Sequence, residues 1–272
     1  MKESFTNLCN KIYASARLAL VSHLEYRFNL FMDAIVHLSF KTLVEMALWY
    51  ALFTGFNKNL VAGFTRENYL AYALWAAFFS RVTTSWIYEH KMIEEIDSGT
   101  VNAILVRPIS FYEFYLGQFF GYKILTSLIA IFVPLSCTYF MKLPMLVERL
   151  PLSLFLSFFY LIFVHTLSFA ICSCGFFFNR VHSLTVAKNL SLWILSGELI
   201  PLDLFPHFLK VLLVFLPFSS GVFIPVAYLT GRIGFHEILL SFFHLSLSLI
   251  LLSFISYFLW SKGRERYSGT GA

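Results

Sequence analysis

Six stretches of this chain are apolar over lengths that water does not tolerate on a protein surface, and they constrain the fold before any single residue does. They run from Phe28 to Phe53, Tyr69 to Ile87, Phe114 to Phe140, Leu152 to Phe178, Val186 to Ile200 and Ile238 to Trp260. A helix needs about 20 predominantly apolar residues to cross the hydrocarbon layer, where its backbone must satisfy its own hydrogen bonds. The expected fold is therefore all-α, a polytopic membrane protein with six transmembrane helices forming a single domain over residues 1–272. Only 13% of the chain is charged, against about one quarter in soluble domains. That leaves no room for a separate soluble catalytic domain.

The connecting segments have their own signatures. From Phe5 to Tyr26, the apolar residues Phe5, Leu8, Ile12, Leu18 and Val21 alternate with Lys11 and Arg17, which predicts an amphipathic helix lying on the membrane surface over residues 1–27 and leading into the first span. Arg17 interrupts the first apolar run and no small-residue cleavage site follows, so a cleaved signal peptide is not expected. Between the fifth and sixth spans, Pro201, Pro206, Pro217 and Pro225 break apolar runs too short to cross. Residues 201–235 are expected to form short re-entrant helices on the outer side, serving as a gate or as a structural cap.

Lys and Arg set the orientation. With the N-terminus inside, the inner set is Lys2, Lys11, Arg17, Arg27, Arg81, Lys91, Arg107, Arg180, Lys188, Lys262, Arg264 and Arg266, twelve in all. The outer set is the six residues Lys58, Arg66, Lys142, Arg149, Lys210 and Arg232, with Lys41 and Lys123 inside spans. The excess places both termini in the cytoplasm. The formal charge of +5 is thus explained by basic span ends facing anionic headgroups, and nucleic acid is not an expected partner.

Under that topology the polar stretch "EEIDSGTVNAILVRPISFYE", Glu94 to Glu113, is cytoplasmic. Met92, Ile93 and Ile96 share one helical face, with Glu94, Glu95 and Asp97 on the others, and Ser98-Gly99 supplies the stop. Thr100 is placed to cap a second short helix containing Val101, Ile104 and Leu105, which Pro108 ends by restricting Arg107. Ser110 to Glu113 reads as a capping box that opens the third span. Periodicity alone leaves open whether this loop, residues 88–112, merely connects two spans or also meets a partner.

Ionisable residues inside spans are costly and need partners or water. Asp33, His37, Lys41 and Glu45 recur every four residues along one stripe of the first span, while Lys123 and His165 lie deep in apolar surroundings. Pairing, such as Lys41 with Glu45, is the natural compensation, and contact with a transported substrate is the alternative. His165 beside Thr166 reads as a hydrogen-bonded packing residue. The four cysteines, Cys9, Cys137, Cys172 and Cys174, lack zinc or redox spacing and read as small hydrophobes. No clustered nucleophile and base, or metal-ligating set, is apparent, so neither a catalytic nor a metal site is expected.

Three motifs in order carry a family resemblance: "IDSGTVNAILVRPIS", then "LSGELIPLDLFP" followed by "LPF" and "IPVAYLTG", and the tail "LWSKGRERYSGTGA". Together they resemble the six-span permease subunits of ABC type 2 exporters, in the branch whose members pair with a separately encoded ATPase. The resemblance extends from "EYRFNLFMDAI" at Glu25 to Ala272. It implies a half-transporter in the bacterial cytoplasmic (inner) membrane, which dimerises with an identical or similar second permease and engages two ATPase subunits from inside. It further implies that the first inner loop receives ATPase closure, a role that falls on Glu89 to Arg107, with Glu94, Glu95, Asp97, Gly99 and Arg107 as the ATPase-coupling residues. The chain has no Gly-rich loop ending in Gly-Lys-Ser/Thr, so ATP and Mg are expected on the partner and no cofactor in this chain. A lipid-modifying membrane enzyme active without nucleotide, or a non-transport membrane scaffold, are the competing classes.

Overall fold

A computed structural model describes residues 5–55, 60–84, 86–178 and 181–267. Lys2, Lys58 and Arg180 of the charge count, and the "SGTGA" end of the tail motif, lie outside the described residues. The helices are α1 (Phe5–Glu25), α2 (Arg27–Phe31), α3 (Leu38–Gly55), α4 (Arg66–Thr83), α5 (Trp86–Asp97), α6 (Asn102–Leu105) and α7 (Phe111–Ala130). They continue with α8 (Phe132–Met141), α9 (Leu150–Ser173), α10 (Val181–Leu195), α11 (His207–Phe215), α12 (Phe223–Leu229) and α13 (Phe235–Arg266). A π-helical turn, Met32–His37, joins α2 to α3 in one rod. Among the described residues there is no β-strand, only an isolated bridge between Val61 and Phe64.

Cross-chain contacts define two ends of the bundle. At one end the Tyr267 hydroxyl donates to the Gly99 carbonyl (3.1 Å), Trp260 stacks on Phe111 (5.2 Å between centroids), and Gly175 packs on Ile96. At the other, Arg232 donates to the Asn68 carbonyl (2.8 Å), and the Leu146 N–H donates to the Leu229 carbonyl (2.9 Å). These contacts alternate along the chain and mark five passes, and the rod Arg27–Gly55 adds a sixth, since α1 before it bonds the Phe114 carbonyl through Ser15 and Phe53 near its end packs on Tyr69.

Four of the passes are long and apolar enough to cross a membrane by composition alone: Arg27–Gly55, Phe111–Met141, Val147–Phe176 and Phe235–Arg266. The other two are α4 and α10, with 18 and 15 residues. The pass through α10 falls short by length, whereas α4 is the less apolar, and 14 of its 18 residues are buried by protein, so that its composition is little tested against lipid.

Element ends depart from expectation where local backbone decides. Thr84 is extended and closes α4, so Trp86 begins α5 instead of prolonging the second pass to Ile87. The third pass is divided at Ile131, because Pro134 lacks the N–H that would bond the Ala130 carbonyl. Lys142 ends α8 in the left-handed region, with φ 51°. The proline-punctuated stretch does form short helices: a 3₁₀ turn at Leu202–Leu204, α11, a second 3₁₀ turn at Pro217–Ser220, and α12, all seven residues of which are buried.

The N-terminal helix is more firmly seated than a surface ribbon. Ser15 and Ala19 of α1 are buried, Ser15 Oγ donates to the Phe114 carbonyl (2.6 Å), and Gln118 Nε2 donates to the Ser15 carbonyl (3.2 Å). The sequence "GQFFG" in α7 makes this approach possible: a Cβ at Gly117 would lie 2.6 Å from the Ile12 carbonyl oxygen, and one at Gly121 would strike the Ala16 backbone. Small residues four apart let two helix backbones meet. Gly121→Leu is predicted to destabilise the protein by about 1–3 kcal/mol through overpacking, whereas Gly55→Leu, facing open space, serves as the control. Thermal unfolding in detergent measures both, and equal midpoints would show that the glycine seat is dispensable.

Candidate functional site

The loop between the second and third passes is built from the alternation of its side chains. Along α5, Met92, Ile93 and Ile96 are buried, Glu94 and Asp97 are exposed, and Glu95 is half-buried. One Glu95 carboxylate oxygen is buried without a hydrogen bond, beside the Tyr115 hydroxyl. Partial burial also raises the Asp97 carboxyl above its ordinary value. Gly99 takes φ 76°, a conformation that resists a side chain. Thr100 does not cap α6 as expected. The N-cap is Val101, with no side-chain bond, and the Thr100 hydroxyl instead pairs with that of Ser98 (2.9 Å). Tight turns, Asn102 N–H to Gly99 carbonyl and Ala103 N–H to Thr100 carbonyl, satisfy the donors that a cap would have served. The α6 helix is a single turn with Val101 and Ile104 buried and Arg107 exposed beyond it. The capping box at α7 is present, with Ser110 and Glu113 bonding each other's backbone N–H (3.2 and 3.1 Å).

The base of α5 carries a residue that the sequence did not single out. Glu89 is fully buried, and its carboxylate is shared among three helices. Lys188 of α10 forms an ion pair with it, Asn189 Nδ2 donates to its other oxygen (2.7 Å), and Ser168 Oγ of α9 donates to it (2.5 Å). Cys172 Sγ reaches the Glu89 carbonyl (3.8 Å), in keeping with a packing role. Lys188 is thus an internal counter-ion and not one of the exposed basic residues that anchor a span end. Its distance from Glu89 in sequence hid the pairing. The surviving signal was chemical and lay on one side only: Lys188, the single Lys, Arg, Asp or Glu in the otherwise largely apolar α10, requires a partner. Asn189 also lines a cleft of about 360 Å³ between α4, α9 and α10, together with Thr83, Trp86, Tyr160, Trp193 and Glu198.

The stripe on the first pass holds in part. A π turn winds more residues per turn than an α-helix, so the face turns between Asp33 and Lys41. Asp33 pairs with Arg81 of α4 and accepts from the Tyr122 hydroxyl of α7. His37 is exposed and lines an open groove with Asn29, Met32 and Phe40. Lys41 pairs with Glu198, donates to Ser80 Oγ (3.1 Å), and lies 3.9 Å from Glu45. The expected Lys41–Glu45 contact therefore exists, with a more intimate acid supplied by the proline-rich segment. Lys123 is buried and donates to the Arg81 carbonyl (2.7 Å) and Thr84 Oγ1 (3.2 Å). His165 is buried with Nε2 3.1 Å from the Tyr112 carbonyl, while the Tyr112 hydroxyl meets Thr166 Oγ1 (2.9 Å). Among the described residues no group of three or more His, Cys, Asp and Glu is arranged to hold a metal.

The polar residues thus divide between an outward-facing loop and charges enclosed among the helices. The family described as ABC-2 family transporter protein matches residues 40–271. The chain belongs to that family. Within it, this ABC-2 chain is a membrane permease of the exporter type. No curated protein matches the chain.

For the ABC-2 permease, the Glu89 cluster gives a direct test. Removing one partner of a buried ion pair costs about 3–5 kcal/mol. Glu89→Ala is therefore predicted to lower stability on that order, and Glu89→Leu combined with Lys188→Met to cost less than the two single changes added. Thermal midpoints of the wild type, Glu89→Ala, Glu89→Leu, Lys188→Met and the double variant decide it: simple additivity in the last three would mean that the two side chains do not interact.

Proposed function

We propose that this permease forms half of a translocation pathway and is driven by a separate ATPase that binds the end of the bundle carrying α5 and α6. The observation that supports this most strongly is the division of α5. Its far end exposes Glu94 and Asp97 around a rigid glycine turn, while its base holds Glu89 inside the bundle against Lys188 and Asn189. A push on the exposed end is therefore delivered to α10 and to the cleft that Asn189 lines.

On this reading the α5 end is cytoplasmic, as the excess of Lys and Arg there favours, and both termini lie inside a bacterial inner membrane. A second permease, identical or similar, completes the pathway, and two ATPase subunits supply ATP and Mg chemistry. Glu94, Glu95, Asp97, Gly99 and Arg107 form the coupling surface. Glu94, Asp97 and Arg107 face outward, Gly99 fixes the turn, and Glu95 is turned toward Tyr115.

The full chain, affinity-purified from its native membranes, is expected to bring down a nucleotide-binding subunit. Glu94→Lys combined with Arg107→Glu should reduce that association and lower ATP-driven export by about tenfold or more, as reversal of charge across an interface costs several kcal/mol. Membrane insertion and thermal midpoint should stay unchanged. Normal association and export in the double variant would remove the loop from the coupling role.

A further inference from the structure

A second cavity, of about 210 Å³, lies where the first pass, α4, α5 and α7 meet. Three charged side chains line it: Asp33, Arg81 and Lys123. Asp33 is engaged by Arg81 and by the Tyr122 hydroxyl. Lys123, with 3% of its surface exposed, meets only neutral acceptors among the described residues, the Arg81 carbonyl and Thr84 Oγ1, and its ammonium sits 5.8 and 5.7 Å from the ring centres of Phe119 and Tyr122. The Arg81 Nε is buried and makes no hydrogen bond. A single lining carboxylate, Asp33, thus faces two cations and pairs with Arg81. Among the described residues no other Asp or Glu lies within ion-pair distance of either.

The surroundings reinforce that sign. His23 of α1 packs on Tyr122 (4.4 Å between ring centres) and its Nε2 lies 3.1 Å from the Tyr88 hydroxyl, with burial first and then the positive charge of Lys91 disfavouring its protonation. A charge withdrawn from water without a counter-ion is costly, and rings and neutral oxygens compensate an ammonium only in part. An anion entering the cavity would supply the missing charge, accept the third ammonium proton, and offer oxygens to the guanidinium, the group best shaped to bind phosphate.

From this excess we infer that the cavity is an anion site for a phosphate group, held by Lys123 and Arg81 and carried by either a phospholipid headgroup or a free phosphate. Asp33 holds the guanidinium in place. The site requires neither ATP nor a partner subunit, so its failure and that of the coupling reading are separable.

The test is calorimetric titration of the full chain in neutral detergent with two probes, sodium phosphate and dihexanoyl phosphatidylglycerol below its micelle concentration. Lys123→Met should weaken binding about 10- to 100-fold, the scale of a lost charge-assisted hydrogen bond, and Lys123→Arg should retain it. Thermal midpoints confirm folding, and Lys123→Gln replaces the Met variant if that one is unstable. Binding of both probes, or of phosphate alone, supports a site for the free group. Binding of the lipid alone supports a headgroup site that also needs the acyl chain. Failure of both probes to bind, or binding indifferent to Lys123, overturns the assignment.

Discussion

A charge enclosed by protein inside a membrane cannot be left to water, and this requirement organises the bundle more than any apolar contact does. Apolar side chains gain little by exchanging lipid for protein, because both surroundings are oily. Polar partners do discriminate. Glu89 is satisfied when α5, α9 and α10 come together, Asp33 when the first pass meets α4 and α7, and Glu198 reaches Lys41 when the segment after α10 folds back. The helix arrangement is thus specified by a few ionic seams, and close packing at glycines such as Gly117, Gly121 and Gly263 refines it.

The same requirement explains what could be read from the sequence. Apolar length gave the helical class, and the four longest passes satisfy it unaided. Local grammar placed the glycine stop and the capping box, because both depend on residues within one turn. It failed at Thr100, where backbone turns met the need that a hydroxyl was expected to meet. Pairings between distant segments were beyond it. Glu89 and Lys188 are separated by 99 positions, and Lys41 and Glu198 by 157, so only three-dimensional structure could match them. The stripe on the first pass was visible as a spacing of four, but the π turn that redirects it has no comparable signature in the residues.

Membership of the ABC-2 family fits this division between an enclosed polar interior and a structured external loop. A permease must keep its helices in register while letting them move relative to one another. Ion pairs serve both needs, since they hold specific partners yet tolerate modest changes of angle better than interlocked side chains. The seams at Asp33, Lys41 and Glu89 join different sets of helices, so no single pair carries the whole assembly.

The bond from Tyr267 to the Gly99 carbonyl has a mechanical consequence. Glu89 fastens the base of α5 to α10, and Tyr267 fastens the turn beyond its far end to the end of α13. A rod held at one point swivels about that point. Held at two, on different helices, it resists tilting about either, so that a force applied at the loop is divided between α10 and α13.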